Sequence, residues 1–125
     1  MTQQYNPVGW FEIPVMDLDR AKQFYEAVMD VELTLMTLGA AEMAWFPFTE
    51  DAIGAAGTLI KAEGLTPSRA GTLIYFTAPN IDGTLERVGA NGGKTLLPKT
   101  SIGEYGFIAH FEDTEGNRLA LHCRA

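Results

Sequence analysis

Apolar and polar residues alternate along this chain with two different periods, and the changes between them mark out its elements. Residues 10–16 (WFEIPVM) alternate with period two. That predicts a strand with Phe11, Ile13 and Val15 on one side and Trp10, Glu12 and Pro14 on the other. Pro14 lacks a backbone donor and suits an edge or a strand end. Over 19–29 the period changes, with Ala21, Phe24, Tyr25 and Val28 spaced by three and four. This predicts a half-buried helix capped by Asp17 or Asp19. Strands are expected at 31–38, 41–48 and 54–60, with a turn from Asp51 to Gly54. After a surface connection at 64–71 the pattern restarts with a strand at 72–78. A helix over 81–91 is capped by Asn80 or Asp82, with Ile81, Leu85, Val88 and, beyond it, Leu97 as core. Gly92-Gly93 ends it, since glycine takes the left-handed conformation without a Cβ clash. Strands follow at 94–98, 105–112 and 117–123, the last two joined by a turn at Glu115-Gly116-Asn117. The first nine residues are polar and read as a loose tail.

The order is βαβββ twice. A shift of 63 residues relates the halves, carrying Leu18 and Asp19 onto Ile81 and Asp82, Phe48 onto Phe111, and Glu50 onto Asp113. The fold class expected is α+β, with paired βαβββ modules at about 8–63 and 71–125 in a single domain, 1–125. A small sheet with one helix cannot close its own core, so the two must share apolar surface.

A length of 125 residues with 46% hydrophobic content suits one ordinary domain with a real core. Sixteen acidic against nine basic residues give a net charge of -7, and no Lys/Arg cluster interrupts that balance. Nucleic acid and anionic membrane surfaces are therefore poor partners. No apolar run approaches the ~18 residues of a membrane-spanning helix. Met1 is followed by a polar stretch, which predicts no leader and makes the cytoplasm the expected compartment. Cys123, the single cysteine, excludes an internal disulfide scaffold and a cysteine-rich zinc site. It is expected as a buried, inert thiol facing away from its neighbour His122. Gly54–Gly57 (GAAG) lacks the Lys-Ser/Thr that a phosphate loop needs. Arg20 and Arg69 are expected in surface ion pairs of small value.

Three stretches carry a family likeness: FEIPVMDLDRAKQFYEAV at 11–28, GTLIYFTAPNIDGTLERVGANGGKTLLPK at 71–99 and FEDTEGNRLALH at 111–122. Through them the chain resembles the vicinal oxygen chelate superfamily, the glyoxalase/bleomycin resistance/extradiol dioxygenase group. Asp17-Leu18-x-Arg20-Ala21 with Phe24-Tyr25 is similar to that family's first helix, and Asp113-x-Glu115-Gly116-Asn117 to its final turn. The resemblance covers about residues 8–123. It implies strands curled into a mixed-sheet cup that holds a metal or a small ligand, and a homodimer. It implies no one activity, because the group includes isomerases, lyases, epimerases, ring-cleaving dioxygenases and antibiotic-binding proteins.

The family's metal positions fall on Trp10, Gly57, Leu73 and Ala120, none of which offers a side-chain donor to a divalent ion. The expected protein is thus a small-molecule binder with neither metal nor cofactor. The alternative is a lyase or isomerase acting on a small carbonyl compound. There Glu12, His110 and His122 would work as an acid–base set, or hold Zn, Ni or Fe as a displaced two-histidine, one-carboxylate site. These residues can equally be polar groups at strand ends. Trp10, Trp45, Phe48, Tyr75 and Tyr105 are candidate aromatic walls of the cup or ordinary core. The run KTSIGEYGF at 99–107 is either a loop bringing Lys99 and Tyr105 to the ligand or a simple hairpin connection.

Overall fold

A computed structural model describes residues 6–125; part of the expected N-terminal tail, residues 1–5, lies outside the described residues. The first module runs β1 (Phe11–Pro14), α1 (Leu18–Met29), β2 (Thr34–Leu38), β3 (Ala41–Trp45) and β4 (Gly57–Lys61). The second runs β5 (Tyr75–Thr77), α2 (Ile81–Ala90), β6 (Lys94–Ser101), a single 3-10 turn at Gly103–Tyr105, β7 (Phe107–Glu112) and β8 (Arg118–Cys123). The βαβββ order therefore occurs twice. Strands order as β1-β4-β3-β2 in one mixed sheet and β5-β8-β7-β6 in the other. In each, the first strand lies parallel to the last while the hairpins are antiparallel. β1 and β5 do not hydrogen-bond to each other, so the sheets do not close into the expected single curled surface.

Both helices start where a side chain can satisfy a free N–H. Asp17 accepts from the Arg20 amide at 3.0 Å and Asn80 from the Gly83 amide at 3.1 Å. The first helix ends on Asp30, itself left-handed at φ 53°, and the second runs out before Gly92 at φ 96°. The inward stripe Ala21, Phe24, Tyr25 and Val28 is wholly buried. It packs with Ile13, Ala44 and Leu59 from the first sheet and Ala109, Phe111, Leu119 and Leu121 from the second in one apolar cluster. Leu85 packs on that cluster, but Leu97 does not belong to it and instead pairs with His110 on the far face of the second sheet.

Strand lengths depart from the apolar runs for local reasons. The third strand stops at Trp45 rather than at 48, because Pro47 cannot donate to a ladder. Phe48 is left outside the core at 68% exposed, whereas Phe111, its partner under the 63-residue shift, is fully buried. β4 begins at Gly57, three residues later than expected, and β5 shortens to three residues. β6 instead runs on to Ser101, with register irregularities around Pro98. Among the described residues no helix is long and apolar enough to cross a membrane.

Candidate functional site

Each sheet buries one face against the helices and leaves the other open. Register assigns the open faces. Glu12 pairs with Thr58, and Thr58 with Trp45, so these three share one side of the first sheet, opposite Ile13, Leu59 and Ala44. In the second sheet Tyr75 pairs with Ala120 and Ala120 with His110, while Thr77 pairs with His122. Arg118, Ala120 and His122 alternate along β8 on that same side.

Trp10, Leu73 and Ala120 thus stand on or beside the open faces, but Gly57 does not. It pairs with Phe11 on the helix-facing side, where a Cβ would collide with the Phe11 carbonyl and ring. Glu12 and Tyr75 are related by 63 residues, but their β4 and β8 partners, Thr58 and Ala120, by 62. The repeat therefore slips by one residue between the helices and the last strands. A one-residue slip exchanges the two faces of a strand, so the open-face residue in β4 is Thr58. Its hydroxyl lies 3.0 Å from the Ala44 carbonyl and 2.7 Å from that of Leu59, and is fully buried. Trp10 and Trp45 meet edge to face at 5.0 Å with β4 between their strands, and Trp45 donates its indole N–H to the Met43 sulfur.

A groove of about 960 Å³ runs between the β1 edge and the β5 edge. Trp10, Leu73, Tyr75 and Phe76 give it apolar walls, and Glu12 and Arg118 are its only charged lining residues among the described residues. Phe11 and Phe76 meet edge to face at 5.8 Å, spanning the two modules. The final turn fastens the same junction. Asp113 accepts from the Tyr25 hydroxyl at 2.6 Å and from the Asn117 amide at 2.9 Å. Asn117 donates to the Pro14 carbonyl at 2.8 Å. Glu115 accepts from the Met16 and Asp17 amides, both at 2.9 Å, and from two guanidinium nitrogens of Arg20.

Arg20 is therefore no loose surface pair, because its partner carboxylate has no exposed area. Burial alone would raise the Glu115 carboxyl; Arg20 and the two backbone amides outweigh it and hold the group at about 2. Burial first, then the Asp113 charge, raises the Tyr25 phenol well above its ordinary value. Arg69 does form a half-exposed ion pair, with Glu112.

Glu12, His110 and His122 are not brought together. Among the described residues no three His, Cys, Asp or Glu side chains are grouped so as to hold a metal ion. Glu12 lies on the groove wall, whereas neither histidine lines the groove. His110 accepts from the Arg118 Nε–H at 3.0 Å through Nδ1, which leaves its Nε2 as the protonated nitrogen, 3.5 Å from the Tyr75 hydroxyl. Burial first, then the neighbouring guanidinium, lowers its pKa. A fixed cation at the ring nitrogen opposes a divalent ion there. His122 donates through Nε2 to the Tyr105 carbonyl at 2.7 Å.

The other candidates divide. Tyr75 lines the groove; Trp45 contacts it only through Trp10. Phe48 lines a separate shallow hollow beside Pro47 and Ile53. Lys99 lies over the Phe107 ring, 4.6 Å from its centroid, and Tyr105 sits in the 3-10 turn of a simple hairpin connection. Neither reaches the groove. Cys123 is buried, as its alternation with His122 predicts. Arg118 went unnoticed in the sequence, although the alternation that selects Ala120 and His122 selects it too.

Residues 8–121 match the model of the Glyoxalase/Bleomycin resistance protein/Dioxygenase superfamily. A glyoxylase-like domain-containing protein of Didymella fabae is 30% identical over 124 residues, covering 96% of this chain and 95% of that one. Among solved structures, a glyoxylase/bleomycin resistance protein/dioxygenase domain from Frankia sp. has a TM-score of 0.75 at 18% identity, covering 98% of this chain and 100% of that one. A glyoxalase I mutant from Zea mays gives 0.74 at 22% identity over 94% of this chain, but only 46% of its own length is spanned. A fosfomycin resistance protein from Listeria monocytogenes gives 0.72 at 16% identity, covering 98% and 94%. The chain belongs to the glyoxalase/bleomycin resistance protein/dioxygenase superfamily. At these identities the solved structures speak for the fold alone.

Proposed function

We propose that this protein binds a small, flat, largely apolar molecule in the groove between its two sheets, and that Glu12, His110 and His122 do not act there as a metal site. The observation that carries the reading is the groove itself: about 960 Å³, walled by Trp10, Leu73, Tyr75 and Phe76, with a single acid and a single base among the described residues that line it. Sites for small ligands combine apolar walls with a few placed polar groups. The cup implied by the family likeness is, in this reading, the groove together with the open faces beside it.

Glu12 on the groove wall is the one observation that favours acid–base chemistry on a carbonyl compound. It lacks the partner that chemistry needs, because His110 is engaged by Arg118 and His122 by the Tyr105 carbonyl.

Calorimetric titration with 1-naphthamide, a neutral flat probe, tests the reading. Saturable binding is expected, weakened roughly fivefold by Trp10→Ala or Tyr75→Ala, the loss of about 1 kcal/mol of aromatic contact. Binding unaffected by both substitutions would place the ligand elsewhere.

A further inference from the structure

We propose that Arg118 is the anchor for an anionic group, so that the ligand of the groove is an apolar or aromatic carboxylic acid. This rests on the groove reading above and adds to it the chemical class of the ligand.

Arg118 occupies an unusual position for a cation. It is half-buried, lines the groove, and is the only positively charged residue among the described residues that does so. The ion pairs among the described residues join Arg20 to Glu115, Lys22 to Glu26, and both Arg69 and Lys94 to Glu112. Glu112 faces Arg118 directly in the β7–β8 register, yet it is taken by those two other cations. Arg118 has no carboxylate partner among the described residues. What holds it is the neutral acceptor Nδ1 of His110, reached by its Nε–H. The terminal nitrogens of the guanidinium make no hydrogen bond among the described residues, and two parallel N–H groups match the two oxygens of a carboxylate.

The surroundings support that fixed orientation. Tyr75, Ala120 and His110 stand in one row across β5, β8 and β7. Ala120 presents only a methyl group, so the Tyr75 and His110 rings meet above it, edge to face at 5.9 Å. His110 is thus braced between Tyr75 and Arg118 and acts as a positioning residue. Tyr75 also lines the groove, as Arg118 does. Glu12, the one acid among the described lining residues, disfavours a second anionic group on the ligand and favours a hydrogen-bond donor near it.

The long-range field opposes this assignment, which makes it testable. With a net charge of -7 the protein as a whole repels anions. A preference for an anionic over an isosteric neutral probe must then come from a local cation. The experiment compares 1-naphthoate with 1-naphthamide by calorimetric titration at fixed ionic strength. The wild type is expected to bind the carboxylate at least about tenfold more tightly, as a charge-assisted bidentate contact would give. Arg118→Gln is expected to abolish that preference, so that the two probes bind alike, and Arg118→Lys to retain part of it; full retention of the preference in Arg118→Gln would overturn the anchor. His110→Phe is expected to weaken naphthoate alone, where a merely structural role would weaken both probes. Should Arg118→Gln fail to fold, Arg118→Lys carries the test, since full retention of the preference would contradict a bidentate contact. Equal affinity of the wild type for both probes overturns the anionic anchor and leaves the groove reading intact. Binding of neither probe overturns both.

Discussion

Glu115 ties the second module to the first: its carboxylate receives Arg20 and the two amides that precede the first helix. An acid held at about 2, against an ordinary 4.5, contributes stability that is fully present above pH 4.5. That contribution is lost as pH falls through about 2. Asp113 acts in the opposite sense, because burial raises its carboxyl despite its hydrogen bonds from Tyr25 and Asn117. Its contribution is full below the ordinary value and declines as pH rises through the raised one. Comparing wild type with Glu115→Gln isolates the first effect. The variant should melt at lower temperature at pH 7, and the gap should narrow between about pH 4.5 and 2. Parallel melting curves across that range would contradict the bridge. Phe111, fully buried and 6.2 Å from the Phe24 ring, is a different kind of residue. Its replacement by alanine should cost about 3–5 kcal/mol in chemical denaturation, with no pH dependence. A loss under ~1 kcal/mol would show that the site collapses around the cavity.

At the level of elements, periodicity made both helices and every strand legible, because inward faces recur with the spacing that each backbone imposes. Caps were legible too, with Asp17 and Asn80 each among two candidates. What periodicity could not supply is register across a loop. Residues 46–56 separate β3 from β4, and nothing local says where pairing resumes. A repeat shift that is right at both helix starts is therefore wrong by one at β4, where it points to Gly57 instead of Thr58. Glycine there has a packing reason, the approach of Phe11. Gly57→Ala should consequently destabilise by about 1–3 kcal/mol, as overpacking does. An unchanged denaturation midpoint would argue for the original register. The site was less legible than the fold for a related reason. Glu12, His110 and His122 are residue types suited to acid–base or metal chemistry, but strand-level reasoning cannot say that Arg118 and the Tyr105 carbonyl claim the two imidazoles.

On the scale of the whole molecule, the two sheets share one apolar cluster yet leave the outer edge of the first sheet exposed. β2 is an edge strand with every residue exposed, and Met36 and Leu38 share the open side with Met43. An unpaired edge carrying exposed apolar side chains such as Met36 and Leu38 invites a second copy. The homodimer implied by the family likeness is proposed to cover this surface. Light scattering at micromolar concentration should give twice the chain mass, with Leu38→Lys shifting it toward the monomer; a monomeric wild type would contradict the pairing. The groove belongs to this scale as well, since neither module forms it alone and its walls come from β1, β5 and the start of β8. Amide chemical-shift mapping during a 1-naphthoate titration measures that claim most directly. Saturable shifts should concentrate at residues 10–14, 72–77 and 117–119; shifts centred instead on Lys99 and the 103–107 turn, or none at all, would contradict it.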